Sequence, residues 1–299
     1  MTTPSPRLLR LRFLFRADGP LTLTGYAGFA WRGLLGHSLR DLACVTKQPI
    51  CDGCLLLSSC VYPAVFETPA AALAGVPTTA KDLPHPLVLD AKPVPRTFDP
   101  ARDQLSLHLT LMGPARAHAP FLIQAVINGT AGGLGGGRTP LGLLRVERER
   151  HLGSGDWVCA FDPSAPAPLP PQEFDSPAPA LPATPPAATI AFETPLRIKA
   201  AGRFVSAEAF HLRDFVRALF VRLQTLNRLY GDGSIHPAPA RLQPILDGLQ
   251  LRSRALRWID LERWSSRQLA ARTNTSPSAG AFWASSATTS APPSASKMA

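Results

Sequence analysis

The sequence predicts an α+β protein, and three observations carry that reading. Residues 9–16 and 105–112 alternate apolar and polar side chains with the period of a half-buried strand. Residues 27–43 repeat their apolar residues with a helical period instead. The order strand, helix, strand, helix, strand then marks a unit of the ferredoxin-like kind.

In the first strand Leu9, Leu11, Phe13 and Phe15 share one face; Arg10, Arg12, Leu14 and Arg16 share the other. In the helix at 27–43, at about 100° per residue from Trp31, Leu35, Ser38, Leu39 and Leu42 fall within about 80° of it. Residues 105–112, LSLHLTLM, point Leu105, Leu107, Leu109 and Leu111 one way. A helix from about 118 to 129, the loop AGGLGGGR and a strand-like LGLLRVERE close a first domain over residues 7–161. Residues 162–188 carry ten prolines, a density no regular element tolerates, and read as an extended linker. A second domain over 189–272 holds two strands broken at Pro195, a helix at 207–230, a shorter helix near 240–249 and a strand near 255–262. Residues 273–299 are rich in Ser, Thr, Ala and Pro and are expected to be disordered.

The 299 residues carry a formal charge of +10 and are 45% hydrophobic, so the chain can bury a core and favours a polyanionic partner, nucleic acid or an anionic membrane. Residues 197–272 hold fourteen Lys/Arg against six Asp/Glu, which places the excess in the second domain. No apolar stretch approaches the ~18 residues of a membrane span. LRLRFLFR is interrupted by arginines where a signal peptide needs an unbroken apolar run. The chain is therefore expected in the cytoplasm, where thiols stay reduced.

Clustered cysteines in that setting favour metal binding over disulfides. Cys44, Cys51, Cys54 and Cys60 follow the spacing C-x6-C-x2-C-x5-C within an insertion at 44–60. Four thiolates complete a tetrahedral shell, and Gly53 permits the tight turn between Cys51 and Cys54. A closed shell implies a structural zinc, with an iron–sulfur cluster also allowed; four reduced core thiols are the plain alternative. Cys159 in DWVCAF reads as a strand residue of the core.

His37 lies about 120° from Trp31 on the helical wheel, off the apolar stripe, among Ala30, Arg32, Gly33, Gly36 and Arg40. Two helix glycines cost about 1 kcal/mol each against alanine. A groove without side chains, flanked by arginines, would admit a phosphodiester, and a histidine near neutral pKa suits proton transfer. A solvent-exposed or capping histidine fits the same residues. In the loop at 131–138, Gly133, Gly135, Gly136, Gly137 and Arg138 would let backbone N–H groups approach phosphates, although a glycine-rich hairpin turn fits equally. It lacks the GK[ST] of a Walker loop. On the 207–230 helix Arg213, Arg217 and Arg228 lie away from the stripe of Leu212, Phe215, Leu219, Leu223, Leu226 and Tyr230.

The run GYAGFAWRGLLGHSLR, the four cysteines ending in CVYPAVFETP, PHPLVL, GLGGGR, FETPLRIKAAGRFV and LRWIDLERWSSRQ occur in that order. Together, over residues 8–268, they resemble the CRISPR precursor-RNA-processing endoribonucleases of the RAMP superfamily. The resemblance implies tandem ferredoxin-like, RNA-recognition-motif-like domains. It implies cleavage of CRISPR repeat RNA without a metal, the 2′-hydroxyl attacking the adjacent phosphate to leave a 2′,3′-cyclic phosphate and a 5′-hydroxyl. His37 matches the location of the family's histidine on or near the first helix. Tyr26 would then orient the nucleophile, Arg32 and Arg40 would support transition-state charge, and Arg138 would meet a phosphate. His108 and His118 stand outside as further histidines. Repeat RNA and CRISPR effector-complex proteins are the implied partners, with no membrane. The same groove and charge would serve a RAMP subunit that binds guide RNA without cutting it. After SSRQ the family's glycine-rich segment and closing strand give way to LAARTNTSPSAGAFWASSATTSAPPSASKMA, so the second domain is expected to be incomplete, as at a truncated or frame-shifted end.

Overall fold

The structure, a computed structural model, describes residues 7–23, 26–69, 83–91, 98–100, 103–165, 187–200, 202–231, 239–261 and 279–290. Most of the proline-rich 162–188 stretch lies outside these residues, as do 262–278 and 291–299. The chain divides into two units, residues 1–180 with 225–234 and residues 181–224 with 235–299.

The first unit is built on strand β1 (Leu8–Ala17), whose alternation is that of a sheet with one buried face. Leu9, Leu11, Phe13 and Phe15 are buried, as are Leu105, Leu107, Leu109 and Leu111 of the neighbouring β3 (Leu105–Met112). Helices α1 (Ala27–Ala43) and α2 (Ala119–Ala131) cover that face. Trp31 of α1 packs its ring 5.3 Å from Phe15. Strand order is β2-β3-β1-β4-β5, all antiparallel, with β2 at Leu87–Ala91, β4 at Leu141–Glu149 and β5 at Trp157–Phe161. In chain order β-α-β-β-α-β this is the ferredoxin-like arrangement, with β5 added beyond β4. The residues 225–231 counted with this unit pack there too: Leu226 and Tyr230 meet Met112, and the Tyr230 hydroxyl donates to the Pro84 carbonyl at 2.6 Å.

On the opposite sheet face, charge pairing replaces apolar packing. Arg12 Nε donates to Glu147 at 2.6 Å and Arg10 lies 3.3 Å from Glu149. Burial alone would push the Glu149 carboxyl up, but the backbone N–H groups of Gly155 and Gly153 and the Arg10 guanidinium outweigh it and hold it below the usual range. A depressed carboxyl contributes stability that is present above the unfolded value and lost as pH falls through the folded one. Glu149→Gln is therefore expected to lower the melting temperature at pH 7 and to converge on the wild type as the pH falls through the folded titration of Glu149. Paired melts across that range would show a constant offset if the carboxylate were irrelevant.

In the second unit β6 (Ala187–Ile190) precedes a short pair, β7 (Lys199–Ala200) and β8 (Arg203–Phe204). Helices α3 (Leu212–Tyr230), whose residues from Thr225 on belong to the first unit, and α4 (Pro239–Gly248) follow, then β9 (Gln250–Leu261) and β10 (Ala279–Ser290). A small core gathers Ile198, Val205, Ala207 and Phe210. The sheet order β6-β10-β9 is that of the first, third and second strands of a ferredoxin-like unit. Among the described residues, no counterpart of that fold's second helix and fourth strand appears.

The expected disorder of 273–299 is corrected over 279–290. This segment is a strand whose backbone pairs antiparallel with both β9 and β6. Its order comes from long-range backbone hydrogen bonds, which local composition does not report.

Candidate functional site

Helix α1 has two unlike sides. Trp31, Leu35 and Leu39 are wholly buried, while Tyr26, Ala30, Gly33 and His37, spaced i, i+4, i+7 and i+11, line the other side. His37 and Gly33 are exposed. A Cβ on Gly33 would meet nothing within 4 Å, so the helix backbone is bare one turn before the histidine. Gly36 does not belong to this groove. It is buried, and a Cβ there would stand 2.7 Å from the Phe66 ring.

The proposed helpers of His37 are not gathered around it. Tyr26 is the N-cap residue, eleven positions or about 16 Å away along the axis. Its ring folds over Gly28 and meets Phe29 edge-on at 5.4 Å. Arg32 turns toward a π-helical turn at Pro63–Glu67, with its guanidinium 4.4 Å over Phe66 and 3.4 Å from His85 Nε2. His85 Nδ1 lies 2.8 Å from the Thr68 hydroxyl. Arg40 reaches the cysteine loop, where it donates to the Gln48 carbonyl and lies 5.8 Å from the Tyr62 ring centroid. Those placements count against Tyr26, Arg32 and Arg40 as groups acting on one phosphate with His37. Sequence reading gave no role to His85, although the PHPLVL stretch that holds it was singled out.

The glycine loop packs against the segment that leads into α1, where a Cβ on Gly135 would meet Thr22 and Leu23. Gly129 of α2 lies against Leu34 and Ser38, which flank His37, and the loop begins three residues later. Leu134 and Thr139 close the loop through backbone hydrogen bonds of 2.9 and 3.1 Å. Gly133 (φ +93) and Gly135 (φ +78) shape it; side chains there would strike the Arg138 and Thr22 carbonyls. Thr139 Oγ1 anchors it to the Pro20 carbonyl at 2.9 Å. Gly136 and Gly137 form an open tip beside Arg138, itself exposed and held at φ +49. The Arg138 N–H donates to the Gly135 carbonyl at 3.2 Å, so within this loop Gly136 and Gly137 present backbone to an incoming phosphate and Arg138 its side chain.

The other histidines sit elsewhere. His108 is buried on the sheet face opposite the helices. His118 ends a 3₁₀ turn at the far end of α2 from the glycine loop, and burial pushes its imidazole below the usual range. On α3, Arg213 is ion-paired with Asp247, while Arg217 and Arg228 are exposed.

Cys44, Cys51, Cys54 and Cys60 are free thiols lining one small cavity. Cys54 N–H donates to the Cys51 carbonyl at 3.1 Å across Gly53 (φ +73). Thr46 Oγ1 lies 3.9 Å from Cys44 Sγ and 3.6 Å from Cys54 Sγ. Burial and the Glu67 carboxylate push the Cys51 thiol up to about 11, and the Arg40 cation acts the other way. The donor set fits a thiolate metal site by chemistry and by its shared cavity. Its ligand geometry is not formed: among the described residues no three metal-binding side chains converge. Cys159, expected in the core, is exposed.

Comparison with known proteins follows the same division. The family model described as the AF_1859_N N-terminal domain matches residues 5–164. No curated protein matches the sequence. Among solved structures the chain is similar to one in a partial Cas6-RT-Cas1–Cas2 complex, at 13% identity with a TM-score of 0.50, over 98% of this chain and 41% of that one. It is similar to Thermus thermophilus Cas6 at 16% identity and a TM-score of 0.45, over 97% and 85% of the two chains. A Cas6 product complex gives 18% identity and a TM-score of 0.45, over 95% and 85%. The likeness at a TM-score of 0.50 is one of fold. Among the described residues, no helix is long and apolar enough to cross a membrane.

Proposed function

The chain belongs to the AF_1859_N family, and from that premise and the geometry of α1 we propose that it is a metal-independent endoribonuclease that cleaves CRISPR precursor RNA within its repeats. The observation that carries the reading is the bare face of α1, where an exposed His37 stands one turn from an unobstructed Gly33. The Cas6-like fold supports the choice of RNA as substrate. The tandem arrangement over 7–161 and 189–272 and a cytoplasmic setting belong to the same reading.

In the reaction the 2′-oxygen forms a bond to the adjacent phosphorus as the 5′-oxygen leaves. A 2′,3′-cyclic phosphate and a 5′-hydroxyl result. His37 moves the proton, as base toward the 2′-hydroxyl or as acid toward the departing oxygen. The N–H groups of Gly136 and Gly137, with the Arg138 cation, bind phosphate. The exposed Arg217 and Arg228 add phosphate contacts. Structural zinc, or an iron–sulfur cluster, would be held by the four cysteines and would take no part in cleavage.

A second reading, a RAMP subunit that binds guide RNA without cutting, is favoured by one observation: Tyr26, Arg32 and Arg40 are occupied away from His37. Labelled repeat RNA incubated with the protein in EDTA separates the two. Mapped ends with a cyclic phosphate support the enzyme; tight binding without any cut establishes the binding subunit.

Gly33→Ala gives a finer test of the groove. A Cβ there is free of clashes and should stabilise the helix by about 1 kcal/mol. The same methyl group would stand where the RNA backbone approaches. The expected result is a higher melting temperature with a lower kcat/KM. Unchanged cleavage kinetics would remove Gly33 from the binding face.

A further inference from the structure

The face of the first unit's sheet opposite α1 and α2 is not used by the proposed reaction, yet it carries an unusual set of groups. Trp157 of β5 reaches across β4 to the centre of the sheet. Its ring stacks on His108 at 5.5 Å and 13°, and the Arg12 guanidinium lies 4.3 Å from its centroid. Arg12 and His108 are paired neighbours on β1 and β3, so both support the indole from the sheet side. His108 is nine-tenths buried, and neither ring nitrogen has a hydrogen-bond partner; the Asp90 carboxylate is 3.6 Å from Nδ1.

Arg12 leads through Glu147 to Arg145, whose Nε lies 2.9 Å from Glu147 Oε1. Arg145 borders a groove of about 480 Å³ lined also by Leu14, Leu144, Gln104, Asp162 and Ser164. The volume suits a nucleobase with its sugar. Its lining mixes apolar walls with donors and acceptors, as base recognition needs. The face carries Arg10, Arg12, Arg16 and Arg145 against Asp90, Glu147, Glu149 and Asp162, so it has little net charge to offer a phosphate. A charge-balanced surface with an aromatic plane and a polar groove fits base faces and base edges better than backbone.

We infer that this sheet face is a second subsite for single-stranded RNA, with Trp157 as the stacking residue and the adjoining groove taking a neighbouring unpaired base. The inference rests on the RNA-binding part of the proposed function, and its test does not depend on cleavage. The full chain is titrated with a 2′-O-methyl oligoribonucleotide of repeat sequence, which cannot be cut, at several salt concentrations. Trp157→Leu is expected to weaken binding about ten-fold, within the range of one lost base stack, while leaving the slope against salt unchanged. Trp157→Phe should recover most of the loss. Wild-type affinity in a folded Trp157→Leu protein overturns the subsite, and so does a fall in salt slope of about one, the mark of a lost phosphate contact. Should Trp157→Leu fail to fold, the wild type is photocrosslinked to the same oligonucleotide carrying 5-bromouridine. A crosslink at Trp157 or the groove supports the subsite; crosslinks confined to other segments overturn it. RNA that binds through Trp157 and is never cut, when presented with natural 2′-hydroxyls, would defeat the cleavage reading and leave this one standing.

Discussion

Replacing His37 with alanine is expected to lower the single-turnover cleavage rate of repeat RNA by roughly 10²–10⁴-fold, the usual worth of a positioned acid or base. Affinity should hold within about three-fold, because the phosphate contacts assigned to the glycine tip and the exposed arginines remain. His37 is the histidine on the bare side of α1, while His108 is buried on the sheet and His118 stands at the distant end of α2. With Arg32 and Arg40 turned elsewhere, no second cation of α1 compensates for its loss. The pH profile then assigns the role. A rate that falls toward acid pH marks a base; one that falls toward alkaline pH marks an acid. A His37→Ala protein that cuts at the wild-type rate would transfer the chemistry to another residue.

Much of this site was legible before the structure, and the parts that were not share a cause. Alternation over 9–16 and 105–112 defined β1 and β3, because each strand buries one face and period two has no other solution there. The helical wheel separated His37 from Trp31, Leu35 and Leu39 for the same reason. A wheel gives the direction of a Cβ but says nothing about what packs against it. Gly36 was therefore grouped with Gly33, although Phe66 fills the space that Gly36 leaves. Arg40 likewise begins on the outer side, but its long side chain carries the guanidinium to the Gln48 carbonyl. β2 was missed because five residues behind Pro84 and Pro86 offer little pattern, and β10 because its order resides in its partners.

Cys51→Ser with Cys54→Ser is expected to abolish zinc binding and to lower the melting temperature of the full chain by roughly 6–12 °C, as a loss on the order of 3 kcal/mol would. The reason lies in how little else could order residues 44–60. The segment has no helix or strand, and its apolar side chains face outward: Val45 is 80% exposed, Ile50 62% and Leu55 93%. Burial cannot be the main source of its order when those side chains gain so little from folding. What the loop does share is a single cavity lined by four thiols. A tetrahedral ion would draw the four sulfurs together and replace the missing hydrophobic restraint. The purified wild type should then contain about one zinc per chain, or show an iron–sulfur absorption band instead. Metal-free wild type that melts with the double variant would return the four cysteines to ordinary small apolar residues. Since His37 lies outside this donor set, the serine variants should retain cleavage at temperatures where they remain folded, which separates the staple from the chemistry.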